Sequence, residues 1–172
     1  MSTDLQNDGF NPEIVSVGNF SASELFSKTF EDGMAMVEEA AAYLDGPGRI
    51  ESRELGRKAA LAYAGESMRL TTRLMQVASW LLVQRAIGEG EMAAKEANAE
   101  KYRLGAREIC LGRKLEAHDF LPERLQDLLV RSENLYHRVD RLDELLYKDS
   151  THLANAVAEQ IGMLQARFGA AE

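Results

Sequence analysis

The sequence predicts an all-α protein: an antiparallel bundle of three long helices, with a short helix in the long connection and a further helix at the C-terminus. Three observations carry that expectation. Apolar residues recur in alternating steps of three and four along separate stretches, the period of helices that pack on one another. The chain has only 3 prolines and 7% aromatic residues, a composition that leans helical. The stretch from Glu51 to Gly88 contains no proline and places Tyr63, Met68, Leu70, Leu74, Met75, Val77, Ala78, Leu81 and Leu82 on one arc. That arc spans about half the helix circumference, which needs two neighbours and makes this the middle helix.

Taken in order, residues 1–18 hold Asn, Asp, Gly and Pro with little periodicity and are expected to be a mobile leader. Residues 19–149 form the bundle domain and 150–172 a C-terminal helical extension. Ser21-Ala22-Ser23-Glu24 has the spacing of a capping box, with Phe20 and Leu25 placed as a hydrophobic staple. Phe26, Phe30, Gly33, Val37, Ala40 and Leu44 then give the first helical stripe, which Asp45-Gly46-Pro47-Gly48 stops. The short turn predicts an antiparallel second helix, and an acidic first helix beside a basic second one predicts their charge pairing. Gly88-Glu89-Gly90 ends the second helix. The Ala-, Glu- and Lys-rich segment Glu91 to Arg103 predicts a short helix, while Leu104 to Phe120 shows no period. A connection this long exceeds what packing requires. Pro122 opens the third core helix through Leu125, Leu128, Ser132, Leu135, Val139, Leu142 and Leu146. Leu153, Val157, Ile161, Leu164 and Phe168 continue a stripe as a fourth helix or an extension.

Composition narrows the function classes. The net charge of -8 opposes general binding to nucleic acid or anionic membranes. A single cysteine, Cys110, excludes an intramolecular disulfide framework. The first residues lack a signal peptide's apolar segment, and no uncharged run is long enough to span a bilayer, so a cytoplasmic location is expected. No phosphate-binding glycine loop, nucleophile elbow or Cys-x-x-Cys pair occurs, and His118, His137 and His152 lack ligand spacing. Glu96 and Glu100 lack the Glu-x-x-His partner of a di-iron bundle. The expectation is therefore no enzyme, no cofactor and no metal. His137, placed away from the core stripe, leaves a phosphotransfer-type signalling bundle as the alternative, although Glu133, Asp140 and Glu144 would repel a phosphoryl group there. A structural homodimer is the remaining alternative.

The candidate partner-binding residues are Arg69, Arg73, Gln76 and Trp80, which stand in one row on the middle helix. Arginine and tryptophan are enriched at interface hot spots. Tyr102 and Arg103 in the connection join this candidate set. The connection is expected to pack on Trp80 and the arginines to face outward to acidic partners. Met68, Met75 and Leu82 are read as core, with a partner or dimer surface as the other possibility.

The run Ser67-Met68-Arg69-Leu70-Thr71-Thr72-Arg73-Leu74-Met75-Gln76, with Ala78-Ser79-Trp80-Leu81-Leu82 and Gln84-Arg85-Ala86, resembles the RcdA family of alphaproteobacteria. Tyr43-Leu44-Asp45-Gly46-Pro47-Gly48 and Arg138-Val139-Asp140-Arg141-Leu142-Asp143 are similar too, and the resemblance covers roughly Phe20 to Tyr147. The family name stands for regulator of degradation of the cell-cycle regulator CtrA. The resemblance implies a helical bundle that dimerises and helps a primed ClpXP protease receive substrates and further adaptors, with no catalysis of its own.

Overall fold

A proline-free stretch with apolar residues on more than one side becomes the axis of the molecule. In the computed structural model, which describes residues 20–168 and side chains from Phe20 to Tyr147, all three layers of packing meet on it. The expected leader, 1–18, lies outside the described residues, as do the side chains of the expected C-terminal extension. The helices are α1 (Glu24–Asp45), α2 (Pro47–Glu54), α3 (Arg57–Gly88), α4 (Ala94–Ala97), α5 (Arg107–Cys110) and α6 (Glu123–Phe168), with 3-10 turns at Glu100–Tyr102 and His118–Phe120. No strand occurs among the described residues. The all-α class holds, and the third core helix and the predicted C-terminal helix are one continuous element.

α1 starts two residues later than its capping box suggested. Ser23 is the N-cap: its hydroxyl accepts from the Phe26 amide at 3.2 Å and donates to the Phe20 carbonyl at 2.6 Å. The cause is Phe20, which turns inward onto Phe26 and Trp80 with ring centroids 5.5 and 6.2 Å away. Leu25 stays exposed, so the expected staple does not form. At the other end the Gly46 amide donates to the Ala42 carbonyl. Pro47, which has no amide to satisfy, then opens α2 at its first position. The middle helix expected from Glu51 to Gly88 is divided: Leu55 turns extended and Gly56 caps α3, so residues 51–54 belong to α2, which begins in the expected turn at Pro47. α2 fits tightly: a Cβ on Gly48 would lie 2.5 Å from the Tyr63 hydroxyl and 2.9 Å from the Tyr43 carbonyl. α2 also brings Glu51 to accept the Tyr43 hydroxyl proton at 2.7 Å.

α1 lies antiparallel to α3. Gly33, where a Cβ would stand 2.7 Å from Leu81 Cδ1, marks the close approach, and Arg85 sits over the Phe30 ring. The acidic residues of α1 do not pair with α3 as its charge suggested. They pair with α6, through Arg131 to Glu39 at 2.8 Å and Arg138 to Asp32 at 3.5 Å. The reason is geometric: α3 packs on α1 through Val77 and Leu81, its one arginine there, Arg85, is paired with Glu89, and the exposed arginines of α6 line the rim of the α1–α6 seam.

One direction departs from the expected antiparallel bundle. Arg73 contacts Leu129 and Ser132, Trp80 contacts Asp143, and Gln84 contacts Tyr147. Contact positions rise together along both helices, so α6 runs parallel to α3. The strap from 89 to 122 makes this possible by running back along α3: Gly105 meets Gln76, Cys110 meets Arg73, Arg113 meets Arg69 and Leu115 meets Glu66. Returning the chain to the start of α3 is why the connection is so long.

Candidate functional site

The strap has little regular structure, so its backbone amides and carbonyls need partners from elsewhere. α3 supplies them from Glu66, Arg69, Arg73 and Gln76, at helical spacing, and the same row continues through Trp80 and Gln84, which bond to α6. Arg73 is 2% exposed and donates to the Cys110 carbonyl from Nε at 3.0 Å and also from Nη2. Its Nη1 donates to the Leu129 carbonyl and Ser132 Oγ, both at 2.9 Å, and Glu133 lies 3.4 Å from Nη2. Burial lowers the Arg73 pKa from the ordinary guanidinium range, with Glu133 opposing the shift. Four donated bonds and a carboxylate are what let a cation occupy this core.

On either side of Arg73 the pattern repeats. Arg69 is held by Glu66 at 3.0 Å and donates to the Arg113 carbonyl at 2.8 Å. The same Glu66 carboxylate accepts from the Leu115 amide at 2.9 Å. Gln76 Oε1 accepts from the Gly105 amide, whose carbonyl accepts the Tyr136 hydroxyl proton at 2.7 Å. Burial pushes Tyr136 up to about 12, so it stays a phenol and a donor. Trp80 Nε1 donates to Asp143 Oδ1 at 2.8 Å, and Arg103 closes on the same carboxylate through Nε and Nη2 at 2.9 and 2.7 Å. The Arg103 guanidinium also stacks over Tyr147. On the exposed side Arg107 bridges Asp140 and Glu144. His118 is buried, with Nδ1 3.9 Å from Glu66 Oε1.

This geometry corrects several expectations. Arg73 and Trp80 are interior residues and Arg69 is mostly covered, so the arginines do not face outward. They are turned in because main-chain groups of the strap require donors there. Trp80 is covered as expected, but by Phe20 and Asp143, with the strap contributing through Arg103. Gln76, Tyr102 and Arg103 are partly buried. Tyr102 takes the Lys101 ammonium over its ring at 4.5 Å and stands apart from the Trp80 group. His137 is exposed, but all three carboxylates expected around it are engaged elsewhere, Glu133 with Arg73 and Asp140 and Glu144 with Arg107.

Met68, Met75 and Leu82 are not core. They are 71%, 64% and 53% exposed, and Leu61 is 76% exposed. These four recur every seven residues along α3, with Ala64, Thr71 and Ala78 between them. Between Lys58 and Arg85 this exposed face carries no charge. Beside Met75 an apolar pit of about 170 Å³ opens between α1 and α3, lined by Val37, Ala41, Leu44, Leu74 and Ala78. The polar row and the apolar face are therefore exchanged relative to the simple amphipathic reading. The residues missed as structural are Glu66 and Gln84. A signal existed, since both extend the Arg69–Trp80 row at the same spacing, opposite a face without charge.

Little in this arrangement resembles a reaction centre. The Cys110 thiol is fully buried, and burial pushes its pKa up, away from the thiolate a nucleophile needs. Among the described residues no group of three or more His, Cys, Asp or Glu side chains could hold a metal ion. No described helix is long and apolar enough to cross a membrane.

Residues 17–168 match the family described as a protein of unknown function, DUF1465. Among solved structures the chain is similar to the crystal structure of RcdA from Caulobacter crescentus CB15. The two are 56% identical with a TM-score of 0.63, and the match covers 76% of this chain and 97% of that one. No curated protein sequence matches.

Proposed function

We propose, from the premise that the chain belongs to the RcdA family, the DUF1465 proteins, that it is a non-enzymatic adaptor in ClpXP-dependent proteolysis of cell-cycle regulators. It acts in the cytoplasm through contacts with ClpXP and its priming adaptor, with substrates and with further adaptors, and it needs neither cofactor nor nucleic acid. The observation that carries this reading is the identity of 56% across nearly the whole of the RcdA chain. The exposed face of α3 supports it: a wide, uncharged, methionine-bearing surface on a rigid helix suits protein contacts.

The same face supports a homodimer. Read along α3, positions 61, 64, 68, 71, 75, 78 and 82 are Leu, Ala, Met, Thr, Met, Ala and Leu, the same in either direction. A two-fold axis through Thr71 would set Leu61 opposite Leu82, Ala64 opposite Ala78 and Met68 opposite Met75 of a second copy. Large residues then face large and small face small, as an isologous interface requires.

Reconstituted degradation tests the adaptor reading. ClpXP, its priming adaptor and a cell-cycle substrate are combined with and without this protein, and substrate loss is followed over time. Faster degradation that needs the folded protein is the expected result. An unchanged rate with every partner present would refute it.

A further inference from the structure

We propose that residues 107–116 form a lid, hinged at Ala106 and Ala117, that opens while the rest of the bundle stays folded and uncovers Glu66, Arg69 and Arg73. This goes beyond the adaptor reading and does not depend on it.

The hinges are the first observation. Ala106 and Ala117 have φ of 56° and 66° and are the only non-glycine residues with positive φ among those described. An L-residue with a Cβ is strained in that region, and the two strained positions bracket the segment. Neither is followed by a side-chain cap.

The second observation is how the segment is held. Of its side chains only Cys110 is buried and Leu111 is half-buried against the core, while Arg107, Glu108, Ile109, Arg113, Lys114, Leu115 and Glu116 are exposed, with Leu115 lying over Gly65. Apart from Cys110 and Leu111, what fastens it is polar: Arg73 to the Cys110 carbonyl, Arg69 to the Arg113 carbonyl, the Leu115 amide to Glu66, and Arg107 to Asp140 and Glu144. Water can replace each of these bonds, and a segment with few buried apolar contacts opens more readily than the core. Its flanks are different. Gly105 is fixed by Gln76 and Tyr136, and Leu121 is buried, so motion is confined between the hinges. Opening frees Arg69 and Arg73 from the strap carbonyls and bares them together with the Glu66 carboxylate, a polar surface of mixed charge.

Cys110 reports on the opening, being the chain's single cysteine, 0% exposed and central in the lid. The experiment labels the native protein with a soluble aromatic disulfide across low urea concentrations and measures global unfolding of the same samples by circular dichroism. The expected labelling rate exceeds that allowed by global unfolding by at least roughly tenfold. It should vary little with urea, because a small opening exposes little surface. Ala117→Gly, which removes strain from the closed state, should slow labelling roughly threefold to tenfold. Arg107→Ala, a substitution at an exposed site, should speed it without a matching change in global stability. Labelling that follows global unfolding in urea would overturn the lid, and an unchanged or faster rate in Ala117→Gly would overturn the hinge.

Discussion

Replacing Trp80 separates two kinds of support in the core. Its ring is 1% exposed and packs on Phe20, while its indole N–H donates to Asp143 at 2.8 Å. Trp80→Phe keeps most of the ring and removes the donor. Asp143 still receives both bonds from Arg103, so the carboxylate is not orphaned and the cost should be about 1–2 kcal/mol, near that of a single buried hydrogen bond. Trp80→Ala also removes the ring and leaves a cavity between α3, α6 and Phe20. A loss of about 3–5 kcal/mol follows for a buried aromatic. For a domain of this size that lowers the melting temperature by about 6–20 °C. Because Trp80 is the chain's only tryptophan, the assay is urea unfolding followed by far-ultraviolet circular dichroism rather than by fluorescence. An alanine variant within about 1 kcal/mol of the wild type would refute the reasoning, as would a phenylalanine variant as unstable as the alanine one.

Three further outcomes are expected. Met75→Glu should leave folding within about 0.5 kcal/mol, as at an exposed site. It should yield a monomer by sedimentation velocity, because a two-fold interface receives the charge twice; a dimer of unchanged affinity would move the interface elsewhere. Glu39 is held below the usual carboxylate range, first by its hydrogen bonds with Arg131. Its folded pKa is depressed, so its contribution is complete above the ordinary value of about 4.3 and is lost as pH falls through the folded value. Glu39→Gln should therefore be less stable than the wild type at neutral pH, by a small amount because solvent screens the pair. The two unfolding curves should converge in acid, and a gap that widened as pH fell would contradict the assignment. Gly48→Ala should destabilise by about 1–3 kcal/mol, since its Cβ meets the Tyr43 carbonyl, which cannot swing aside; an unchanged melting temperature would show that α2 can shift.

The long helices were legible because their periods are local. Gly88 ends α3 and Pro122 precedes α6 as the turn chemistry indicated, and the three-four stripe of α6 matches its buried Leu125, Leu128, Leu135, Val139 and Leu146. What the sequence concealed depended on the strap. With no period of its own, it gave no sign that it would run back along α3 and make α6 parallel. Without that path Arg73 and Trp80 look like surface residues, because the carbonyls and carboxylate that satisfy them come from segments 37 to 63 residues away. Methionines at positions 68 and 75 looked like core for the complementary reason: hydrophobicity alone does not distinguish an interior from a face left for another molecule. The start of α2 at Pro47 and its separation from α3 were missed because its eight residues carry one apolar side chain large enough to set a period, Ile50, and that one is exposed.

The way the strap is gripped bears on how this sequence can drift. Glu66, Arg69, Arg73, Gln76 and Tyr136 read carbonyls and amides at Leu115, Arg113, Cys110 and Gly105, atoms that nearly every amino acid supplies identically. Most lid side chains at these points contribute nothing to the grip and are free to change. The gripping residues are not, since each replacement strands a main-chain group. Divergence among relatives should accumulate on the outer surface of the strap while its path over α3 stays fixed. New surface chemistry could then be tried there without renegotiating the core beneath.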